Sequence, residues 1–132
     1  MKHSITKIKV RGYHADFYGH VNNARYLELL EEARWNHFEE TVDMETFKRH
    51  GWAFVVVNIN INYRKPALPG DVLHIRTEYK THGSRSMTMH QTCLLNGTDT
   101  VAADADITFV VLDGSAGKVV HLEGELLKML MP

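Results

Sequence analysis

Residues 13–35 read YHADFYGHVNNARYLELLEEARW, and the order of this stretch decides both the fold and the chemistry. One acidic residue, Asp16, stands in a polar turn containing Gly19, and a long amphipathic segment then opens on Asn22 and Asn23. Helix N-termini leave several backbone N–H groups without intrahelical partners and carry a partial positive charge. An oxygen that becomes anionic during a reaction is stabilised there. A carboxylate placed beside such donors points to acyl-transfer chemistry.

Outward from that stretch, apolar residues recur from about position 23 to 40 at Leu27, Leu30, Ala33 and Phe38, with Tyr26 and Leu29 widening the stripe. That is helical periodicity, and it predicts one long helix at the centre of the core. Upstream, residues 5–13 favour a strand through Ile5, Ile8, Val10 and Tyr13, with Gly12 near its end. A short helix over about residues 44–50 should stop at Gly51. The period then changes to two. Val55, Val57, Ile59, Ile61 and Tyr63 alternate with Val56, Asn58, Asn60 and Asn62, which predicts a strand with one apolar and one amide-rich face. Pro66 and Pro69-Gly70 break it. Three more β stretches over residues 72–81, 86–95 and 100–112 are separated by His82-Gly83, Asn96-Gly97 and Asp113-Gly114. A short strand at 118–121 and a helical turn from Glu123 complete the chain. One long helix between a first strand and a run of antiparallel strands is an α+β plan, a curved sheet covering a helix. Pattern alone leaves several such folds open.

With 132 residues and no linker, repeat or low-complexity tract, the chain reads as a single domain over residues 1–132. A domain of that size leaves apolar surface for an oligomer to bury. Fifteen Lys and Arg against 16 Asp and Glu give a formal charge of −1, so nothing draws the whole chain to nucleic acid or an anionic membrane. Any anion site must be local. The lone Cys93 forms no internal disulfide and the opening MKHSITKIKV lacks the apolar stretch of a signal peptide, which together predict a cytoplasmic setting. No run of 18 apolar residues is present, so no membrane span is expected.

Asp16 followed by GHVNNARY and a helix rich in Leu and Glu resembles the active-site signature of the hotdog-fold acyl-CoA thioesterases of the 4-hydroxybenzoyl-CoA thioesterase type. The likeness continues through FVVVNININYRKPAL at 54–68, ITFV at 107–110 and LEGEL at 122–126, and so spans roughly residues 7–127. The resemblance implies a hotdog fold, in which a curved antiparallel sheet wraps around one long helix. It also implies a homo-oligomer, a dimer with joined sheets and then a tetramer, whose active sites lie between subunits. The implied reaction hydrolyses an acyl-CoA to free fatty acid and coenzyme A without a cofactor. Within the family the wording is closest to members acting on long acyl chains.

The same resemblance assigns Asp16 as nucleophile or general base and the backbone N–H of Asn23 as the oxyanion donor. Each has an ordinary role too, Asp16 as an Asx-turn residue and Asn22 with Asn23 as helix caps. His20, four residues after Asp16, is near enough to share the pocket, although a single His there is more often a hydrogen-bonded structural group. His14, Asp16 and His20 offer no recognisable metal motif, so no metal is expected. Arg25 in the first helical turn opposes the dipole and should meet an acid or solvent. Tyr26 reads as core or pocket wall. Glu28, Glu31 and Glu32 read as the wet face of the helix, with one of them a fallback acid should Asp16 fail. Arg64, Lys65 and Arg85, with Ser86, are the candidates for holding nucleotide phosphates, and each is otherwise a solvated group at a strand end. A hotdog dehydratase or hydratase would need a different arrangement of His and acid. A non-catalytic acyl-CoA or acyl-carrier binding module has no need of Asp16.

Overall fold

The computed structural model describes residues 3–131; Met1, Lys2 and Pro132, which the reading of one domain includes, lie outside them. Strand β1 (His3–Lys9) leads through a 3-10 turn at Gly12–His14 to helix α1 (Asn23–Thr41) and the short α2 (Met44–Arg49). Four long strands follow, β2 (Trp52–Tyr63), β3 (Val72–His82), β4 (Ser86–Leu95) and β5 (Val101–Asp113). A two-residue β6 (Lys118–Val119) and helix α3 (Gly124–Leu130) end the chain. The strands form one antiparallel sheet in the order β1-β3-β4-β5-β2, with β6 on the end of β5. The expected curved sheet around one long helix is what the chain forms.

Besides β6, which ends at Val119 rather than at residue 121, three boundaries or faces differ from expectation, each for a local reason. The first strand stops at Lys9 because its backbone finds other partners: Val10 N–H donates to Asp71 C=O (2.8 Å) and Arg11 N–H to His14 Nδ1 (2.8 Å). On β2 the register shifts between Val56 and Asn58, which leaves Val57 as an extra, bulged residue. Since directly paired residues share a face, Trp52, Phe54 and Val56 point inward before the bulge and Ile59, Ile61 and Tyr63 after it. Val55 therefore joins Asn58, Asn60 and Asn62 on the outer face. On α1, Leu27 is exposed, while Arg34 and His37 are buried with Tyr26, Leu29, Leu30, Ala33 and Phe38.

Arg34 and His37 are buried because the core has a polar layer. One apolar cluster gathers Leu30, Ala33, Ile75, Cys93 and Ile107, and another gathers Phe38, Phe47, Met87, Met89 and Phe109. Between them on their respective elements lie Arg34, Thr77 and Gln91. Arg34 donates to Gln91 Oε1 (3.1 Å), and Gln91 Nε2 donates to Leu30 C=O (3.0 Å) and Thr77 Oγ1 (2.9 Å). Nearby, Ser4 Oγ lies 2.9 Å from His37 Nδ1. Burial holds both Arg34 and His37 below their ordinary pKa values. Satisfied directional bonds of this kind fix how α1 sits along the sheet, where apolar contacts alone tolerate sliding. Cys93 is fully buried in the first cluster, and burial followed by the charge of Asp104 pushes its thiol up to about 12.

Candidate active site

Asp16 is held by the backbone of the loop between β1 and α1. Its N–H donates to His20 C=O (2.9 Å) and its C=O accepts from Gly19 N–H (3.0 Å). Gly19 closes that turn at φ +78°, a left-handed conformation that favours glycine. The loop is anchored on both sides by Val21 N–H to Ala67 C=O and Asn22 N–H to His14 C=O, each 2.9 Å. Asp16 Oδ1 accepts from Tyr18 N–H (2.9 Å), so the Asx-turn role is real. That bond occupies one carboxylate oxygen, and the other has no hydrogen-bond partner among the described residues.

The start of α1 is equally defined. Asn22 is the N-cap, and its side chain accepts from Ala24 N–H at 2.8 Å. Asn22 C=O accepts from Arg25 N–H (3.0 Å) and Tyr26 N–H (3.3 Å). The N–H of Asn23 donates to no group among the described residues. Asp16, His20, Asn23, Tyr26, Tyr63, Arg64 and Lys65 line one open pocket of about 290 Å³, completed by Val21 and Pro66. Most of the site expected from sequence is thus brought together, with an unpaired carboxylate oxygen and an unpaired N–H on residues that line the same space.

The remaining candidates fall elsewhere. Arg25 pairs with Glu28 at 2.7 Å, and Glu31 and Glu32 are exposed beside them. His14 is buried with its Nδ1 engaged by Arg11 N–H, and burial followed by the charge of Arg25 keeps its pKa low. Among the described residues no three His, Cys, Asp or Glu side chains converge as a metal site. Buried Tyr26 forms pocket wall; burial first, then Cys93, pushes its hydroxyl up to about 12, so it stays protonated. Arg64 is partly committed, with Nε 2.7 Å from Asp104 Oδ2, and the bond raises the arginine's pKa and lowers the aspartate's. Lys65 is the freer cation. Arg85 and Ser86 lie at the other end of the sheet: Ser86 pairs with Val110 on β5, whereas Tyr63 pairs with Ala103. Seven residues of strand separate those positions, roughly 23 Å. Within one chain the two halves of the expected phosphate site do not meet.

Sequence reasoning did not single out Tyr63. Its only sequence signal is its place as the last alternating residue before Arg64, and what makes it part of the site is the packing of its ring against Tyr26, with centroids 5.5 Å apart.

Comparison with known proteins shows the family to which this fold belongs. The thioesterase-like superfamily matches residues 10–130. The long-chain acyl-CoA thioesterase FadM of Escherichia coli K12 is 50% identical over 125 residues, covering 95% of each chain. The crystal structure of YbaW, a probable thioesterase from Escherichia coli, superposes with a TM-score of 0.90 at 50% identity, covering 96% of this chain and 95% of that one. A Thermus thermophilus thioesterase solved with coenzyme A and Zn has a TM-score of 0.81 at 27% identity over 97% of both chains. No described helix is long and apolar enough to cross a membrane. With the match running over nearly the whole chain and the fold shared, the chain belongs to the thioesterase-like superfamily as a hotdog-fold hydrolase of thioesters.

Proposed function

We propose that this protein hydrolyses long-chain acyl-CoA to free fatty acid and coenzyme A, with Asp16 as the reacting carboxylate and the Asn23 N–H as the oxyanion donor. The carrying observation is that Asp16, with one unengaged carboxylate oxygen, and Asn23, with an unpaired N–H, line one pocket. The 50% identical relative named for long-chain acyl-CoA supports the substrate. Asp16 either attacks the thioester carbonyl or removes a proton from the attacking water; both routes use the same free oxygen and put negative charge on the carbonyl oxygen. A donor fixed in advance at that oxygen stabilises the transition state more than the ground state. Free-thiol release from a panel of acyl-CoAs is expected to rise in kcat/KM from short to long chains. Equal or better values for short or aromatic thioesters overturn the long-chain assignment.

The working unit in this reading is a homodimer joined through β2, with a tetramer formed from two such dimers. β2 is a sheet edge whose outer side pairs with nothing among the described residues, and Val55, Val56 and Val57 on it are exposed. An edge strand with unpaired backbone groups and exposed apolar side chains is a template for pairing with another chain. If two copies pair antiparallel about the middle of β2, position 63 of one lies opposite position 52 of the other. The Ser86 hairpin of the second copy then sits on the Tyr63 side of the seam, which brings its residues 85 and 86 toward the same substrate as Arg64 and Lys65. The single, fully buried Cys93 accords with a reducing, cytoplasmic compartment.

Phosphate recognition in this reading rests on exposed local cations. Neutralising Arg64 and Lys65 together is expected to raise KM for acyl-CoA about tenfold, ~1.4 kcal/mol, while sparing a minimal thioester that has no nucleotide. Added salt should act in the same direction, because exposed charges are screened over about 8–10 Å. Unchanged KM in the double variant places the phosphates elsewhere.

A further inference from the structure

Tyr63 ends β2, yet its hydroxyl donates across to the first turn of α1, to the carbonyl of Asn23 at 3.0 Å. That carbonyl belongs to the peptide linking Asn23 to Ala24, whose N–H is taken by the Asn22 side chain at 2.8 Å. The preceding peptide, linking Asn22 to Asn23, has its carbonyl held by Arg25 N–H and Tyr26 N–H at 3.0 and 3.3 Å. The Asn23 N–H is therefore the one free group in a pair of peptides otherwise fixed at every polar atom. Two bonds accepted on the Asn22 carbonyl also polarise the peptide that carries this N–H, which strengthens it as a donor.

The Tyr63 bond is not required to satisfy the helix. The carbonyl of a first helical residue already accepts the N–H four residues on, and its second lone pair can go to water when exposed. Tyr63 is itself 45% exposed, so its hydroxyl is solvated as easily as it is bonded. A bond between such groups adds little to stability. It does restrain direction, because the ring is seated on Tyr26 and the oxygen reaches the helix from the end of a sheet strand.

We propose that Tyr63 is a positioning residue for hydrolysis: its hydroxyl locks the first turn of α1 so that the unpaired Asn23 N–H keeps the direction that a developing oxyanion needs. The proposal rests on the thioesterase reading of the Asp16 pocket. It assigns a polar role to a side chain whose sequence position suggests only an apolar strand end.

The test is Tyr63→Phe, which keeps the ring against Tyr26 and removes only the oxygen. Expected are a loss of about tenfold in kcat per folded protein, ~1.4 kcal/mol of transition-state stabilisation, with KM within about twofold and an equal loss at every pH across the active range. Removing an oxyanion donor altogether costs about 10²–10³-fold, so loosening one should cost part of that. Asn22→Ala releases the same turn from the other side. The double variant should lose less than the product of the two single losses, because both act on one N–H. A Tyr63→Phe protein of lowered stability and native kcat overturns the proposal, as does multiplicative behaviour of the double variant. A kcat loss that varies with pH overturns it too, since it makes the phenol a proton carrier. Asp16→Asn measured in parallel separates the two levels. If that variant is inactive and Tyr63→Phe turns over normally, only the role of Tyr63 falls; if it stays active, the reading of the pocket falls with it.

Discussion

Asp16→Asn is expected to lower kcat by at least about 10²-fold, with little change in KM or stability. The amide keeps the shape of the carboxylate, and its oxygen can still accept the 2.9 Å bond from Tyr18 N–H that closes the turn. The loop around it is held mainly by backbone bonds, from Asp16 N–H to His20 and from Val21 N–H to Ala67, which do not depend on the side chain. What disappears is the charge on the free oxygen, and with it both the nucleophile and the proton acceptor. Steady-state turnover of a long-chain acyl-CoA, with circular dichroism to show a native fold, decides the matter. A folded variant with near-native turnover would move attention to an acid on α1, and Glu28 is then poorly placed because Arg25 already holds it at 2.7 Å.

A comparable loss is expected from a double substitution far from Asp16 in sequence, Val55→Lys with Val57→Lys. Both side chains are exposed, at 39% and 57%, so the protomer should keep its stability within about 0.5 kcal/mol. Lysines on an edge strand are a natural means of preventing sheet-to-sheet pairing. In a two-fold arrangement four of them crowd one seam. Light scattering should show a monomer, and turnover should fall by about 10²-fold or more if the site needs a second copy to complete it. An active monomer at assay concentration contradicts the shared site.

Much of this fold is legible in the sequence because it follows from local periodicity. The spacing of Leu30, Ala33 and Phe38 is helical, and the Asn96-Gly97 and Asp113-Gly114 turns mark strand ends by chemistry that needs no tertiary context. Asp16, Asn23, Arg64 and Lys65 are grouped by family resemblance and His20 by its nearness to Asp16 in sequence, and the fold does bring them to one pocket. What the sequence hides has a different cause. The bulge at Val57 changes which β2 residues face inward, and a run of three valines carries no sign of where the phase slips. Arg34 and His37 fall outside the apolar stripe, and their partners, Gln91 and Ser4, are 57 and 33 residues away. Tyr63 reaches Asn23 across 40 residues, and Arg85 lies far from Arg64 for the same non-local reason, the course of β5 between them.

The buried thiol of Cys93 gives the protein its own clock for core opening. Only the thiolate reacts readily with disulfide reagents, and this one is both fully enclosed and raised to about 12. Its strand is interior to the sheet, paired to Ile75 on one side and Ala103 on the other. The side chain itself sits in the apolar cluster with Leu30 and Ala33 of α1, so labelling requires that part of the core to open, and the rate of modification in native buffer measures how often it does. Because Cys93 is the chain's single cysteine, that rate is read without engineering or background. Acyl-CoA bound at the pocket can then be weighed by how far it slows the reaction of a thiol that is not part of the pocket's lining.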